Sequence, residues 1–264
     1  VAETVPLVST LLVFASLALF APAADALTFH GADGIRVVST SRIDSWLLQL
    51  TVRTPALAGP AHVRVLLPSG YASSKRRRYP VLYLLHGTSG GAADWTAMGH
   101  AEQATARKPL IVVMPDIALQ DVGGGWCTNW FNGGARGRPE WETFHIEELI
   151  PWIDHNLATI ATRSGRAIAG LSQGGFCSMS YAARHPDLFS IALSFSGAPD
   201  IAFDATARAL VTPVINVTET ALDHVPANSM FGPRATEELN WAAHDPTTLA
   251  MNLRGMKLLL FTGN

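Results

Sequence analysis

A chain of 264 residues with 48% apolar side chains can bury a sizeable core and is most simply one α/β domain. Its formal net charge of −2 gives no electrostatic case for nucleic acid or an anionic membrane surface as a partner. Two cysteines, Cys127 and Cys177, do not stand in metal-ligand spacing, so no metal is expected.

The first stretch reads as a targeting signal. Leu7 to Ala21 is an almost unbroken apolar run, too short and too poorly flanked for a membrane span, and Ala24-Asp25-Ala26 follows it. Cleavage after Ala26 and export are therefore expected, with no stable span left behind, and wall-bound and fully secreted destinations look alike. The opening is atypical: Val1 stands in place of Met, and residues 1–6 carry Glu3 but no Lys or Arg.

Residues 27–264 form the domain. Ile35 to Arg42 and Trp46 to Thr54 read as strands, with Leu48, Leu50 and Val52 alternating with polar partners. His62 to Leu67 is a third strand, and the short connections predict an antiparallel edge. The basic run Lys75-Arg76-Arg77-Arg78 reads as a solvated turn. Val81 to Leu85 is continuously apolar, as a parallel strand covered on both faces requires. It ends in His86-Gly87-Thr88-Ser89-Gly90-Gly91. Neither G-x-x-x-x-G-K-[ST] nor G-x-G-x-x-G is present, so this turn is not read as a phosphate cradle, and no cofactor is expected. His86 reads as structural.

A helix is expected over Trp95 to Ala106 and a buried strand over Leu110 to Met114, stopped by Pro115-Asp116. The glycine-rich loop from Gly123 to Gly134, with three aromatics, reads either as a pocket rim or as a packed surface loop. Glu140 to Leu157 has helical spacing, with Phe144, Leu149, Ile150 and Ile153 on one face and Pro151 as a kink. Beyond Pro186, Ser190 to Ser196 is a strand. Asp200 to Gly255 reads as loops and helices at the mouth of a site, and Lys257 to Thr262 as one more buried strand. No repeat or linker marks a second domain.

Between these elements lies Gly170-Leu171-Ser172-Gln173-Gly174-Gly175, a G-x-S-x-G pentapeptide with an extra glycine. Apolar Ala167-Ile168-Ala169 precedes it and the small-residue stretch Phe176 to Arg184 follows. Strand, sharp turn and helix form a nucleophile elbow, with Ser172 at the apex and its Oγ clear of the sheet. The Gln173 backbone N–H then points toward a developing oxyanion, and Thr88 N–H, on the glycine-rich turn after an upstream strand, is the second donor. Cys177 falls on the elbow helix. A disulfide to Cys127 and a buried thiol with a separate loop thiol are both open.

A serine nucleophile needs a histidine to take its proton and a carboxylate to orient that histidine. In hydrolases with this elbow the acid and then the histidine follow later strands. His224 and His244, beside Asp223 and Asp245, precede the last predicted strand and make poor candidates. The acid and histidine are expected beyond Asn264.

Several stretches together resemble the α/β-hydrolase esterases grouped with esterase D and the antigen 85 mycolyltransferases. They are Tyr79 to Gly87, Trp141-Glu142-Thr143-Phe144, Gly170 to Gly175, Met230-Phe231-Gly232-Pro233 and His244-Asp245-Pro246-Thr247. The resemblance implies an α/β-hydrolase fold, a mostly parallel central sheet with an antiparallel N-terminal edge and helices on both faces. It also implies Ser172 as nucleophile, with the Thr88 and Gln173 N–H groups as the oxyanion hole and the Glu and His beyond Asn264. His86 and Ser89 replace an acidic residue and an arginine that help the mycolyltransferases bind sugar, and Gln173 stands where the family usually has Met. The antigen 85 loop cysteine pair has no counterpart. The expectation is an exported serine carboxylesterase acting on a small-molecule, glycan or lipid ester. An acyltransferase using a sugar hydroxyl and a non-catalytic binding protein on the same scaffold are the alternatives.

Overall fold

The computed structural model describes residues 27–71, 76–119, 123–133 and 139–263. The expected signal segment, Lys75 and Gly134 lie outside them. Eight strands form one sheet in the order β1-β2-β3-β5-β4-β6-β7-β8. They are β1 (Arg36–Arg42), β2 (Leu47–Arg53), β3 (Ala61–Leu66), β4 (Val81–Leu85), β5 (Ile111–Pro115), β6 (Arg166–Leu171), β7 (Ile191–Phe195) and β8 (Lys257–Phe261). β1, β2, β3 and β5 pair antiparallel in succession, while β5, β4, β6, β7 and β8 run parallel. The short connections between the first three strands allow only antiparallel neighbours, whereas each later strand is reached by a longer crossover. This is the α/β-hydrolase fold.

The period-two pattern of β2 splits its side chains between two cores. Leu48, Leu50 and Val52 join the larger cluster, with Trp141, Phe144, Trp152, Phe176 and Tyr181 from the covering helices. Leu47 enters a smaller cluster on the opposite face with Leu66, Leu84, Val112 and Met114. β5, apolar at every position before its proline, is buried throughout.

The expected helix over 95–106 is two short ones, α1 (Asp94–Ala97) and α2 (Ala101–Thr105). The break falls at Gly99, where a Cβ would strike Trp95, and at His100, which has φ of 51°. Helical structure over 140–157 begins as a wide π-turn, Thr143–Leu149, and continues as α3 (Ile150–Asn156). Leu149 and Ile150 keep helical backbone angles, so Pro151 follows the π-turn within one continuous helix and does not break it. The elbow helix is α4 (Gln173–Arg184), and α5 (Ala205–Val217) and α6 (Glu238–His244) follow β7.

The last strand departs from expectation. β8 was expected to be buried, yet all five of its residues are exposed, Leu260 to 62%. It pairs only with β7, at the sheet edge, and no described helix covers its faces. An apolar run states what a strand needs, not what covers it.

Candidate active site

In an open parallel sheet, sites form beyond the carboxyl ends of the strands. Here those ends carry His86 to Thr88 after β4, Asp116 after β5 and Ser172 after β6. Ser172 has φ 55° and ψ −117°, a combination costing about 1–3 kcal/mol for a residue with a side chain. The surrounding contacts hold it there. Ser172 N–H donates to Phe195 O at 2.8 Å, and Ser172 O accepts from Phe176 N–H at 3.0 Å. A Cβ on Gly170 would lie 2.0 Å from Gly174 O, and one on Gly174 would lie 2.3 Å from both Leu85 O and His86 O. The first turn of α4 therefore packs backbone against backbone on the end of β4.

That close approach brings the β4 turn to the serine. A Cβ on Gly87 would stand 3.6 Å from Ser172 Cβ and from Leu171 O, so Thr88 is the next residue along the rim. Gln173 opens α4, where an N–H has no intrahelical partner and the helix end carries partial positive charge. Ser172 itself is exposed.

His86 is structural. Its Nδ1–H donates to Gly87 O at 2.7 Å, and its Nε2 accepts from Ile117 N–H at 2.9 Å. Neither nitrogen is left to take a proton from serine. Asp116 is likewise occupied, accepting from Ala92 N–H at 2.8 Å and His62 N–H at 2.7 Å.

Two more histidines are buried and engaged. His145 Nε2–H donates to Asp116 O at 2.8 Å and its Nδ1 accepts from the Tyr181 hydroxyl at 2.9 Å. Burial pushes this imidazole down to about 4, against the bond to Asp116. His244 Nδ1–H donates to Asn240 O at 2.8 Å and its Nε2 lies 2.9 Å from Thr128 Oγ1. Burial, with Arg184 close by, lowers its basicity. Its carbonyl accepts from Ser180 Oγ, eight residues along α4 from Ser172, roughly 12 Å at helical rise. Asp245 caps backbone at Ile201 and Thr248. His224 is exposed, with φ of 55°. Among the described residues no histidine ring is hydrogen-bonded to Ser172.

The loop after β5 is packed over Gly123 to Thr128, and its Cys127 is disulfide-bonded to Cys177. The pairing left open by sequence is thus made. The glycines of this loop do reach the site. Ser89 N–H donates to Gly123 O at 2.7 Å, and a Cβ on Gly124 would fall 2.1 Å from the Gln173 side-chain amide. Gly124 N–H faces both oxygens of Asp223, at 3.3 and 3.4 Å. Burial pushes the Asp223 carboxyl up to about 7, with Gly124 N–H opposing and the Glu219 charge adding. In the sequence Asp223 stands out only as a neighbour of His224. Its place beside Gly124 depends on how 198–256 folds, which no local pattern announces.

The profile of the family described as "Putative esterase" matches residues 54–259. The chain belongs to this esterase family. It is 35% identical over 234 residues to Esterase Rv1288 of Mycobacterium tuberculosis H37Rv, covering 87% of this chain and 48% of that protein. It is 38% identical over 134 residues to an endo-1,4-beta-xylanase/feruloyl esterase of Xylanibacter ruminicola, covering 47% of this chain and 18% of that one. Among solved structures, Mycobacterium tuberculosis MPT51 superposes with a TM-score of 0.63 at 26% identity, over 81% of this chain and 72% of that one. The chain spans about half or less of the length of the curated relatives it matches.

Proposed function

We propose that the protein is an exported serine carboxylesterase. Ser172 Oγ attacks the ester carbonyl carbon as a base takes its proton. The Thr88 and Gln173 N–H groups hold the oxyanion, the alcohol leaves protonated, and water releases the acid from the acyl-enzyme. The observation that carries this reading is the backbone of Ser172 beside the Gly87-Thr88 turn: strain held by backbone contacts, in a residue that is exposed. Membership of the esterase family supports the same chemistry.

The base and its orienting acid are proposed to follow Asn264. Two observations support this: no described histidine bonds Ser172, and β8 exposes apolar side chains where another strand and helix would pack. The Cys127–Cys177 disulfide supports an oxidising, extracytoplasmic destination. Transfer to a sugar hydroxyl is disfavoured because the ring of His86 is spent on Gly87 and Ile117.

The test is a fluorophosphonate probe together with ester turnover in the full-length protein. Labelling at Ser172 with loss of turnover in Ser172→Ala is expected. An unlabelled serine sinks the proposal and favours a binding protein, and a Ser172→Ala protein that still hydrolyses esters sinks it by assigning the chemistry to another nucleophile. Product ratios with an added sugar acceptor separate hydrolysis from transfer.

A further inference from the structure

Gln173 is 3% exposed, and three segments converge on its side chain. Its Nε2 donates to Thr88 Oγ1 at 3.3 Å, across from the elbow to the β4 turn. Its amide lies flat on Gly124, in the loop after β5, where a Cβ would come within 2.1 Å of both Nε2 and Oε1. Its Oε1 is buried and has no hydrogen-bond partner among the described residues. An orphaned acceptor of this kind costs about 1–3 kcal/mol. An apolar side chain of similar length would fill the same space without that cost, so stability alone does not account for an amide here. What the amide adds is the bond to Thr88.

We propose that the Gln173 side chain is a positioning residue for the oxyanion hole. The inference rests on the serine-esterase reading above. Both proposed donors are backbone N–H groups, one of Gln173 and one of Thr88. The bond from Gln173 Nε2 to Thr88 Oγ1 closes a ring through the two residues that own those donors. Such a ring fixes the spacing of the donors without touching the substrate. Donors act on a transition state only as far as they are held in place beforehand, and a small misplacement costs rate more than binding. Gly124, pressed on the outer face of the amide and held by Asp223, keeps it from swinging away.

The test is a double-variant cycle in the full-length protein, with a short activated aryl ester as substrate. Gln173→Met removes the donor and keeps the volume. Thr88→Val removes the acceptor and keeps the shape and the backbone N–H. Each single change is expected to lower kcat by about 5- to 20-fold with KM within about twofold, a fraction of what losing a whole donor costs. The double variant is expected to be no slower than the slower single one, because both changes break one bond. The thermal midpoint of Gln173→Met should hold or rise, since the orphaned oxygen is gone. A wild-type kcat in Gln173→Met, or losses that multiply in the double variant, overturns the inference. Should Gln173→Met fail to fold, Thr88→Val alone decides by its kcat. If wild-type Ser172 takes no fluorophosphonate, or Ser172→Ala keeps turnover, it is the esterase reading that has failed, and the inference goes with it.

Discussion

Cys127, in the loop after β5, is bonded to Cys177 on the second turn of α4, across 50 residues of sequence. The bond ties the segment carrying Gly123 and Gly124 to the helix that begins just after Ser172. Closing a loop of that length removes unfolded-chain entropy worth about 4 kcal/mol in the loop-closure treatment. For a domain of this size that corresponds to a melting shift on the order of 10 °C. The Cys127→Ala/Cys177→Ala protein should melt lower by about that amount. Equal melting curves with and without a reductant would show that the bond contributes nothing.

Glu142 is 7% exposed and gathers two cationic or ionisable partners by hydrogen bonds. Arg184 Nε and Nη2 donate to its two oxygens at 2.7 and 3.0 Å, and His185 Nε2 lies 2.7 Å from Oε1. Burial pushes this carboxyl up, but the bonds from His185 and Arg184 and the charge of Arg184 outweigh it and hold the group at about 2. Removing one partner of such a buried pair costs about 3 kcal/mol, and Glu142→Gln should be destabilised by that order at pH 7. The folded value lies below the unfolded 4.5. The contribution is therefore complete above pH 4.5 and fades as pH falls toward 2, and the penalty of Glu142→Gln should fade with it. Urea titrations at pH 7 and pH 3 check this, and an equal penalty at both would contradict it.

The elbow turn could be read from sequence because its residue types are spaced locally. Gly170, Ser172 and Gly174 announce a tight turn by residue type and spacing alone, and β4 and β5 declare themselves by unbroken apolar runs. Contacts between distant segments were another matter. The break at Gly99 and His100 depends on Trp95 folding back, and nothing in the spacing of Trp95 to Ala106 forbids one helix. That Gln173 would meet Thr88, and Gly124 meet Asp223, depends on how three loops converge. β8 is the sharpest case: its composition matches a covered strand, while its exposure depends on what packs beside it.

Asp223 offers a pH dependence of the opposite sense. Its carboxyl, pushed up to about 7 by burial and by Glu219, titrates near 3.8 when unfolded. A raised folded value means that stability is greatest below the unfolded value and declines as pH rises through 7. Asp223→Asn keeps an oxygen for Gly124 N–H and removes the charge. This variant should melt above wild type at pH 8.5 and alongside it at pH 4. Differential scanning calorimetry at the two values decides, and a variant that melts lower at pH 8.5 contradicts the assignment.

Gly174 and Gly87 both lie where the elbow meets the end of β4, and their tolerance to a methyl group should differ. A Cβ on Gly174 would sit 2.3 Å from the carbonyl oxygens of Leu85 and His86. Those atoms are backbone at the end of a central strand and just beyond it, so nothing flexible can give way, and α4 must lift from the sheet. A Cβ on Gly87 would meet its neighbours at 3.6 Å, an ordinary contact. Forced overpacking costs typically about 1–3 kcal/mol, so Gly174→Ala should lose at least that much stability. Gly87→Ala should melt close to wild type. Lifting α4 also carries Ser172 and the Gln173 N–H away from Thr88, so the fluorophosphonate labelling rate of Gly174→Ala should drop by at least about tenfold. If Gly174→Ala labels and melts like wild type, the elbow is not closed by backbone contact and the strain at Ser172 must be held in some other way.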